Sequence, residues 1–405
     1  MSPARDVSSH NLGNQARRAS SSDLAREFEE SYHRTPDVCW RAPGRVNIIG
    51  EYMDLNESFV LPIAIPQATH TMAAPRPDRA LVMRSLQDVG GGGAPVTVHL
   101  DGRAMPEGWA AYPAAVAFAL EASGYTVTGA DLLISSDVPV GSGLSSSAAL
   151  ECSVAAVLCT LSGIDLTPME LAQMARKAEN EFVGVPCGIM DQAASMCSTD
   201  AHALLLDTRT LGVVQVPFDM SAAGLGLLVV DTRVKHEHGT SGYARRREAC
   251  EVAARALGVR ALRDVPPDQF ERCLSSLEEL WDGEVRKRAR HVFTEQARVL
   301  DTVRLLRAGD LGAVGPVLLA GHVSLRDDFD VSCAELDTVV DSATAAGALG
   351  ARMTGGGFGG SAIVLGEQGR LNDIQSAVER SFAAKGFAPP NCFVVKASPA
   401  ARRVL

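Results

Sequence analysis

The sequence has no excess of positive charge. Across 405 residues, 38 Lys and Arg stand against 48 Asp and Glu, a formal net charge of −10. A nucleic-acid binder would present a basic field, so that class is not expected. Cys-x-x-Cys pairs are also missing. The nine cysteines (Cys39, Cys152, Cys159, Cys187, Cys197, Cys250, Cys273, Cys333 and Cys392) are odd in number and scattered. They read as free thiols of a reducing compartment, and a cytoplasmic location is expected. No run reaches the roughly 20 apolar residues that cross a bilayer, so no membrane partner is expected. The first residues lack an apolar signal core; residues 1–22, rich in Ser, Arg, Asn and Ala, are expected to form a disordered tail. There is no internal repeat. No glycine-rich stretch ends in Gly-Lys-Ser/Thr, and none carries the dinucleotide-binding fingerprint.

What is present suits two domains, with 46% hydrophobic residues to fill their cores. Helical spacing is predicted over 23–34, 109–120, 148–161, from Pro168 through Lys177, 243–256 and 284–307. A strand and turn are predicted over 38–48, an apolar run interrupted by Pro62 spans 59–65, and strands are predicted over 132–134, 225–231, 362–365 and 392–396. The glycine-rich stretch 88–94 reads as a hairpin tip or loop. These elements mix without a strict strand-helix-strand repeat. An α+β pair of domains is therefore expected, 23–215 and 216–405, with mixed or antiparallel sheets.

Four segments carry chemistry. Gly141-Ser142-Gly143-Leu144-Ser145-Ser146-Ser147 follows a predicted strand and precedes an apolar helix. Glycines allow close backbone approach, a helix N-terminus offers unpaired N–H groups, and serine hydroxyls reach phosphate or magnesium. The plainer alternative is a serine-rich helix cap. A second cluster, Gly355 to Gly360, gains meaning only if it closes on the first. Gly188-Ile189-Met190-Asp191-Gln192 presents an acid after a turn, with Glu179 upstream as a plausible metal ligand; the alternatives are a capping Asp and a solvated face residue. Arg45, Glu51 and Asp54 crowd one strand-turn segment. They suit a polyol and a transferred charge, or else form a surface ion cluster.

Together, in order and spacing from about 36 to about 396, these segments resemble the galactokinase branch of the galacto-, homoserine, mevalonate and phosphomevalonate (GHMP) kinase superfamily. The resemblance implies an N-terminal domain like the second domain of ribosomal protein S5, a ferredoxin-like C-terminal domain and an active site in the cleft between them. It further implies ATP and Mg2+. Asp191 matches the presumed catalytic base, and Arg45 the arginine beside it. Ser147 and Glu179 match the magnesium ligands, with Ser146 able to share that task. Gly141, Ser142, Gly143, Leu144, Ser145, Ser146 and Ser147 match the phosphate loop; Trp109 and Tyr112 match an element near adenine. Glu51, Asp54, Gly188 and Tyr243 match sugar-contacting positions.

The first motif departs from its usual Gly-Glu-His-Thr-Asp-Tyr-Asn, reading Gly50-Glu51-Tyr52-Met53-Asp54-Leu55-Asn56, with Ser58 where glycine is usual. Tyr52 replaces a histidine near the C6 end of the sugar. A site built to bond one hydroxyl rejects analogues that leave its groups unpaired. The expected reaction is phosphorylation of the anomeric hydroxyl of a galactose-like aldose altered or lengthened at C6, feeding a nucleotide-sugar pathway. Ordinary galactose is the alternative. A non-catalytic sugar and ATP sensor, and a kinase for mevalonate or homoserine, remain as rival classes. A monomer or weak dimer is expected. Lys235, His236 and His238 could contact an anion near Tyr243.

Overall fold

The computed structural model describes residues 21–87, 94–102, 104–234 and 239–405. Most of the expected tail, most of the stretch 88–94, and Lys235, His236 and His238 therefore lie outside the described residues. Helix α1 (Ser21–Tyr32) buries Leu24 and Phe28, one turn apart, against Cys39, Met72 and Leu133. Strand β1 (Val38–Asn47) then pairs antiparallel with β3 (Pro62–Arg76), after a two-residue β2 (Phe59–Val60). Pro62 delimits these strands because it cannot donate to a ladder. Strands β4 (Ala80–Ser85) and β5 (Val96–His99) pair antiparallel on either side of the glycine-rich stretch.

Helix α2 (Ala111–Ala122) follows a short 3-10 turn over Gly108–Ala110, and β6 (Gly129–Ser136) pairs with β3 and, in parallel, with β4. Helix α3 (Ser146–Ser162) is apolar on nearly every face because it is buried, and it stops at Gly163 with φ +66°. Helix α4 (Pro168–Lys177) opens with a reciprocal Thr167–Glu170 capping box and Pro168 in its first turn. The chain then widens into a π turn over Ala178–Val183, reaches α5 (Met190–Cys197), and forms β7 (His202–Asp207) and β8 (Gly212–Pro217). The latter two join β2 in a three-stranded sheet.

From β9 (Leu225–Asp231) onward the chain builds a second layer: α6 (Gly239–Leu257), α7 (Phe270–Ser276), α8 (Glu284–Arg307), α9 (Val314–Val323), α10 (Ala334–Ala345), β10 (Gly350–Thr354), β11 (Ser361–Glu367), α11 (Leu371–Lys385), β12 (Asn391–Val395) and β13 (Arg402–Arg403). Four strands form an antiparallel sheet in the order β10-β11-β9-β12. The largest sheet runs β13-β1-β3-β6-β4-β5. The architecture is α+β with mostly antiparallel sheets, as expected. The end of the chain crosses back: β13 pairs with β1, and Val404 N–H donates to Cys39 O at 2.8 Å. This partly covers the edge of β1 that faces away from β3. It also means that the last residues of 216–405 complete the N-terminal sheet.

One apolar cluster belongs to both halves. Val46, Ile48, Ile49, Leu61 and Ile63 pack with Leu227, Val229, Val299, Val303, Ile363 and Leu365. This shared core fixes the second layer against the end of β1, where the candidate site begins.

Candidate active site

The site starts from a defect in a strand. The β1–β3 register shifts between Pro43 and Arg45, and such bulges re-aim side chains. Gly44 sits in the shift, where a Cβ would lie 2.7 Å from Leu144 O. Arg45 N–H donates to that same carbonyl at 3.1 Å, tying the bulge to the glycine-serine loop. The Arg45 side chain, 6% exposed, grips Asp191 with two bonds, Nε to Oδ1 at 2.8 Å and Nη2 to Oδ2 at 2.9 Å. Its Nη1 donates to Gly143 O at 2.5 Å. Asp191 lies in the first turn of α5 and keeps 28% of its side chain exposed.

The loop between β6 and α3 alternates its handedness: Gly141, Gly143 and Ser145 have φ of +75°, +75° and +59°. Such alternation turns successive N–H groups toward one side, an anion-binding concavity. Ser145 stands at the N-cap of α3, yet its hydroxyl does not cap; it donates to Asp191 Oδ2 at 2.5 Å. The plain helix-cap reading is thereby answered. Two side chains of the loop turn away from the cleft, unlike the expectation for nucleotide contacts. Ser142 is 1% exposed and bonds Pro139 O at 2.8 Å; Leu144 is 1% exposed within the shared core. Only their backbone remains to meet a ligand. The second glycine cluster does close on the first: a Cβ on Gly355 would come 2.9 Å from Gly143 O, and Ser361 Oγ donates to Ser142 O at 2.7 Å.

Glu179 occupies the π turn after α4, where an added residue reorients the helix face. Its Oε2 accepts from Gln192 Nε2 at 2.8 Å and the Cys187 thiol at 3.3 Å. Burial, then the charge of Asp191, pushes its carboxyl upward, while a hydrogen bond from Ser147 works the other way. Glu151 of α3 lies alongside, pushed well up by burial and by Glu179, with Oε1 buried and without a partner. Among the described residues no group of three His, Cys, Asp or Glu converges to hold a metal. A carboxylate, a serine hydroxyl and phosphate oxygens form the hard donor set of Mg2+, which is bound by few protein ligands. The residues therefore fit that ion. Tyr112 sits near the same carboxylates; burial, then Glu179, raises its hydroxyl. Trp109 packs against the main core.

Asp54 lies against Gly188 and near Asp191. Burial, then the charge of Asp191, raises its carboxyl to about 6. It fills the space above Gly188, where a Cβ would lie 2.9 Å from Asp54 Cβ and closer still to Cγ and Oδ2. Tyr243 lies beside them, its hydroxyl driven well up by burial and by Asp54. Its ring is 5.4 Å from that of Tyr52, which also packs at 4.6 Å on Phe329. Tyr52, 4% exposed, donates its hydroxyl to Gly356 O at 2.5 Å.

Glu51 departs from the sugar-contact expectation. Its side chain is 1% exposed and paired with the wholly buried guanidinium of Arg352, which also bonds Glu295 at 2.9 Å. One guanidinium shared by two carboxylates favours a proton on one of them. Burial raises Glu51 to about 7, whereas Arg352 and Arg298 overcome burial and hold Glu295 well below the usual range. Arg352, Glu295 and His291 carry no local sequence signal of this role; their partners lie 240 or more residues away for Glu51, as in Arg352–Glu51 and His291–Glu51.

A loop of alternating handedness at the N-terminus of α3, with an arginine-aspartate pair beside it, has the make-up of an anion-binding, phosphoryl-transfer site of the GHMP kinase type. Family models describing the GHMP kinases N terminal domain, the galactokinase galactose-binding signature and the GHMP kinases C terminal region match residues 111–199, 26–75 and 302–384. The chain is 48% identical over 382 residues to the galactokinase of Streptomyces coelicolor, covering 94% of this chain and 98% of that one. It is 41% identical over 364 residues to that of Mycobacterium bovis, covering 90% and 98%. The solved galactokinase of Lactococcus lactis, complexed with galactose, superposes with a TM-score of 0.89 at 31% identity, covering 94% and 99%. A mevalonate kinase at 15% identity and TM-score 0.63 shares the fold. The chain belongs to the galactokinase family of GHMP kinases. It has that superfamily's two-domain fold.

Proposed function

We propose that the chain transfers the γ-phosphoryl group of ATP to the C1 hydroxyl of galactose. The observation that carries the reading is the Arg45–Asp191–Ser145 cluster at the N-terminus of α3. A carboxylate offers about four lone-pair sites. Arg45 and Ser145 take three on Asp191, two of them on Oδ2. One site on Oδ1 is left to receive the acceptor hydroxyl, and the side chain is exposed enough to meet it. The C1 oxygen attacks in line while Asp191 takes or orients its proton. Arg45 offsets charge on the phosphoryl oxygens from a site where it is already locked. The loop N–H groups and the N-terminal turn of α3 receive the triphosphate. Ser147 and Glu179 would hold Mg2+, with Ser146 adjacent; the ion would supply positive charge against the triphosphate. Trp109 and Tyr112 border the adenine side. Tyr52, Asp54, Gly188 and Tyr243 receive the sugar.

Two considerations favour galactose over a sugar lengthened at C6. The named relatives at 31% to 48% identity are galactokinases. A phenol is also larger than an imidazole, and Tyr52 is buried with its hydroxyl already spent on Gly356. The substitution fills that end of the pocket instead of opening it. The sensor alternative is disfavoured by the intact loop and the locked Arg45–Asp191 pair. Nine free cysteines support a reducing compartment such as the cytoplasm. ATP consumption with galactose, galactosamine, galacturonate, seven- and eight-carbon aldoses, mevalonate and homoserine tests the reading. Galactose should give the highest kcat/KM. A higher value for a longer aldose would restore the enlarged pocket, and no turnover with any acceptor would favour the sensor.

A further inference from the structure

We propose that Arg352, clamped between Glu51 and Glu295, is a positioning residue for the acceptor: through it the C-terminal half sets the loop that carries Tyr52 and Asp54. The acceptor's identity rests on the galactokinase reading above.

The loop 50–58 is held largely by residues from far along the chain. Gly50 N–H donates to Glu295 Oε1 at 2.9 Å, His291 Nε2 donates to Glu51 O at 3.3 Å, and Ser58 Oγ bonds Gln296 at 2.8 Å. All three partners lie on α8, with His291 and Glu295 one turn apart on one face. Burial depresses His291 to about 4, so its ring is neutral and Nε2 carries the proton that Glu51 O requires. On the other side, β10 supplies the grip. Thr354 exchanges two bonds with the backbone of Asn47, at 3.1 and 2.9 Å. Arg352 bonds the Glu51 carboxylate, and Gly356 O receives the Tyr52 hydroxyl.

The network makes poor sense as a source of stability. Buried ion pairs gain little over apolar packing. This one also leaves Glu51 Oε1 and Arg352 Nη1 buried without hydrogen-bond partners. What it does achieve is a single geometry, because each carboxylate must meet a planar, directional donor. Gly321, inside α9, fits the same account. A Cβ there would lie 2.5 Å from Arg352 Nη1 and 3.2 Å from Cζ, so the glycine makes room for the guanidinium. Asp54 and Tyr52 follow Glu51 by one to three residues, so a shift of the clamp moves the acceptor contacts while the phosphate loop, anchored by Arg45 and Ser361, stays in place.

The experiment is steady-state kinetics on the full chain, varying galactose and ATP separately, with melting curves for each variant. Arg352→Lys keeps the charge but loses the planar fork. Gly321→Ala keeps every charge, adds a helix-favouring methyl and pushes the guanidinium out of its present position. Both should raise KM for galactose about tenfold or more, as expected for contacts misplaced by a fraction of an ångström to an ångström, with KM for ATP within about twofold. Unchanged galactose KM in Gly321→Ala, or sugar and ATP constants rising together, would overturn the proposal. Should the wild type prefer another aldose, the same ratio is read with that sugar. Should it turn over none, the functional reading and this proposal fall together.

Discussion

Gly188→Ala is the sharpest probe of the acceptor site. The new methyl would fall inside the van der Waals envelope of the Asp54 carboxyl. Asp54 must then withdraw by about 1 Å or more to reach a separation that real side chains tolerate. A displacement of that size at a substrate contact costs on the order of 100-fold in rate, or about 2.7 kcal/mol of transition-state binding. The loss should appear in kcat/KM for galactose, with nucleotide binding little changed, because the three heavy atoms nearest the new methyl all belong to Asp54. A double-mutant cycle isolates the cause. Asp54→Ala alone should also lose activity, but adding Gly188→Ala to it should cost much less than Gly188→Ala costs the wild type, since the carboxyl is gone and only the Cβ contact at 2.9 Å remains. Contacting residues show such non-additivity, whereas independent ones add. Full additivity in the double variant, or near-normal galactose kinetics in Gly188→Ala, would refute the assignment of Asp54 as the group that Gly188 accommodates.

Three other outcomes are expected. Asp191→Asn should lower kcat by roughly 10²–10⁴-fold, the usual contribution of a positioned proton acceptor, with ATP affinity measured by calorimetry mostly retained; near-normal turnover would remove the assigned role. Asp54, raised to about 6 in the folded chain, favours folding while protonated and loses that contribution as pH climbs from the unfolded carboxylate value, about 3.9, through the folded one. Asp54→Asn should therefore melt above the wild type at pH 7.5 and lose that advantage near pH 4, and a pH-independent difference would contradict the cause given. Glu179→Gln should raise the Mg2+ concentration for half-maximal rate by at least roughly tenfold, and EDTA should abolish turnover of the wild type; an unchanged Mg2+ dependence would take Glu179 out of the metal's shell.

Much of the candidate site was legible in the sequence. Arg45 in an Arg-Ala-Pro-Gly-Arg strand, the glycine-serine turn and the acid after Pro-Cys-Gly are residue types whose chemistry is local, and their roles can be guessed one segment at a time. Element types were legible for the same reason: α3 reads as a buried helix because its composition is apolar throughout, and α4 begins at Pro168, where a first helical turn tolerates proline. The conformations were less visible. Nothing in the text of residues 178–183 marks a π turn, because that widening depends on what α2 and α5 press against.

By itself, then, the chain's order of residues determined which groups are available for phosphoryl transfer and roughly which elements carry them. Tertiary structure alone decided how those groups are spent. Ser145 bonds Asp191 instead of capping its helix, Ser142 and Leu144 face inward, and Glu51 is taken by Arg352, a partner 301 positions away. The reason is physical: covalent order constrains neighbours, whereas a buried charge takes whatever counter-charge the folded core brings within reach, and sequence distance does not enter that energy.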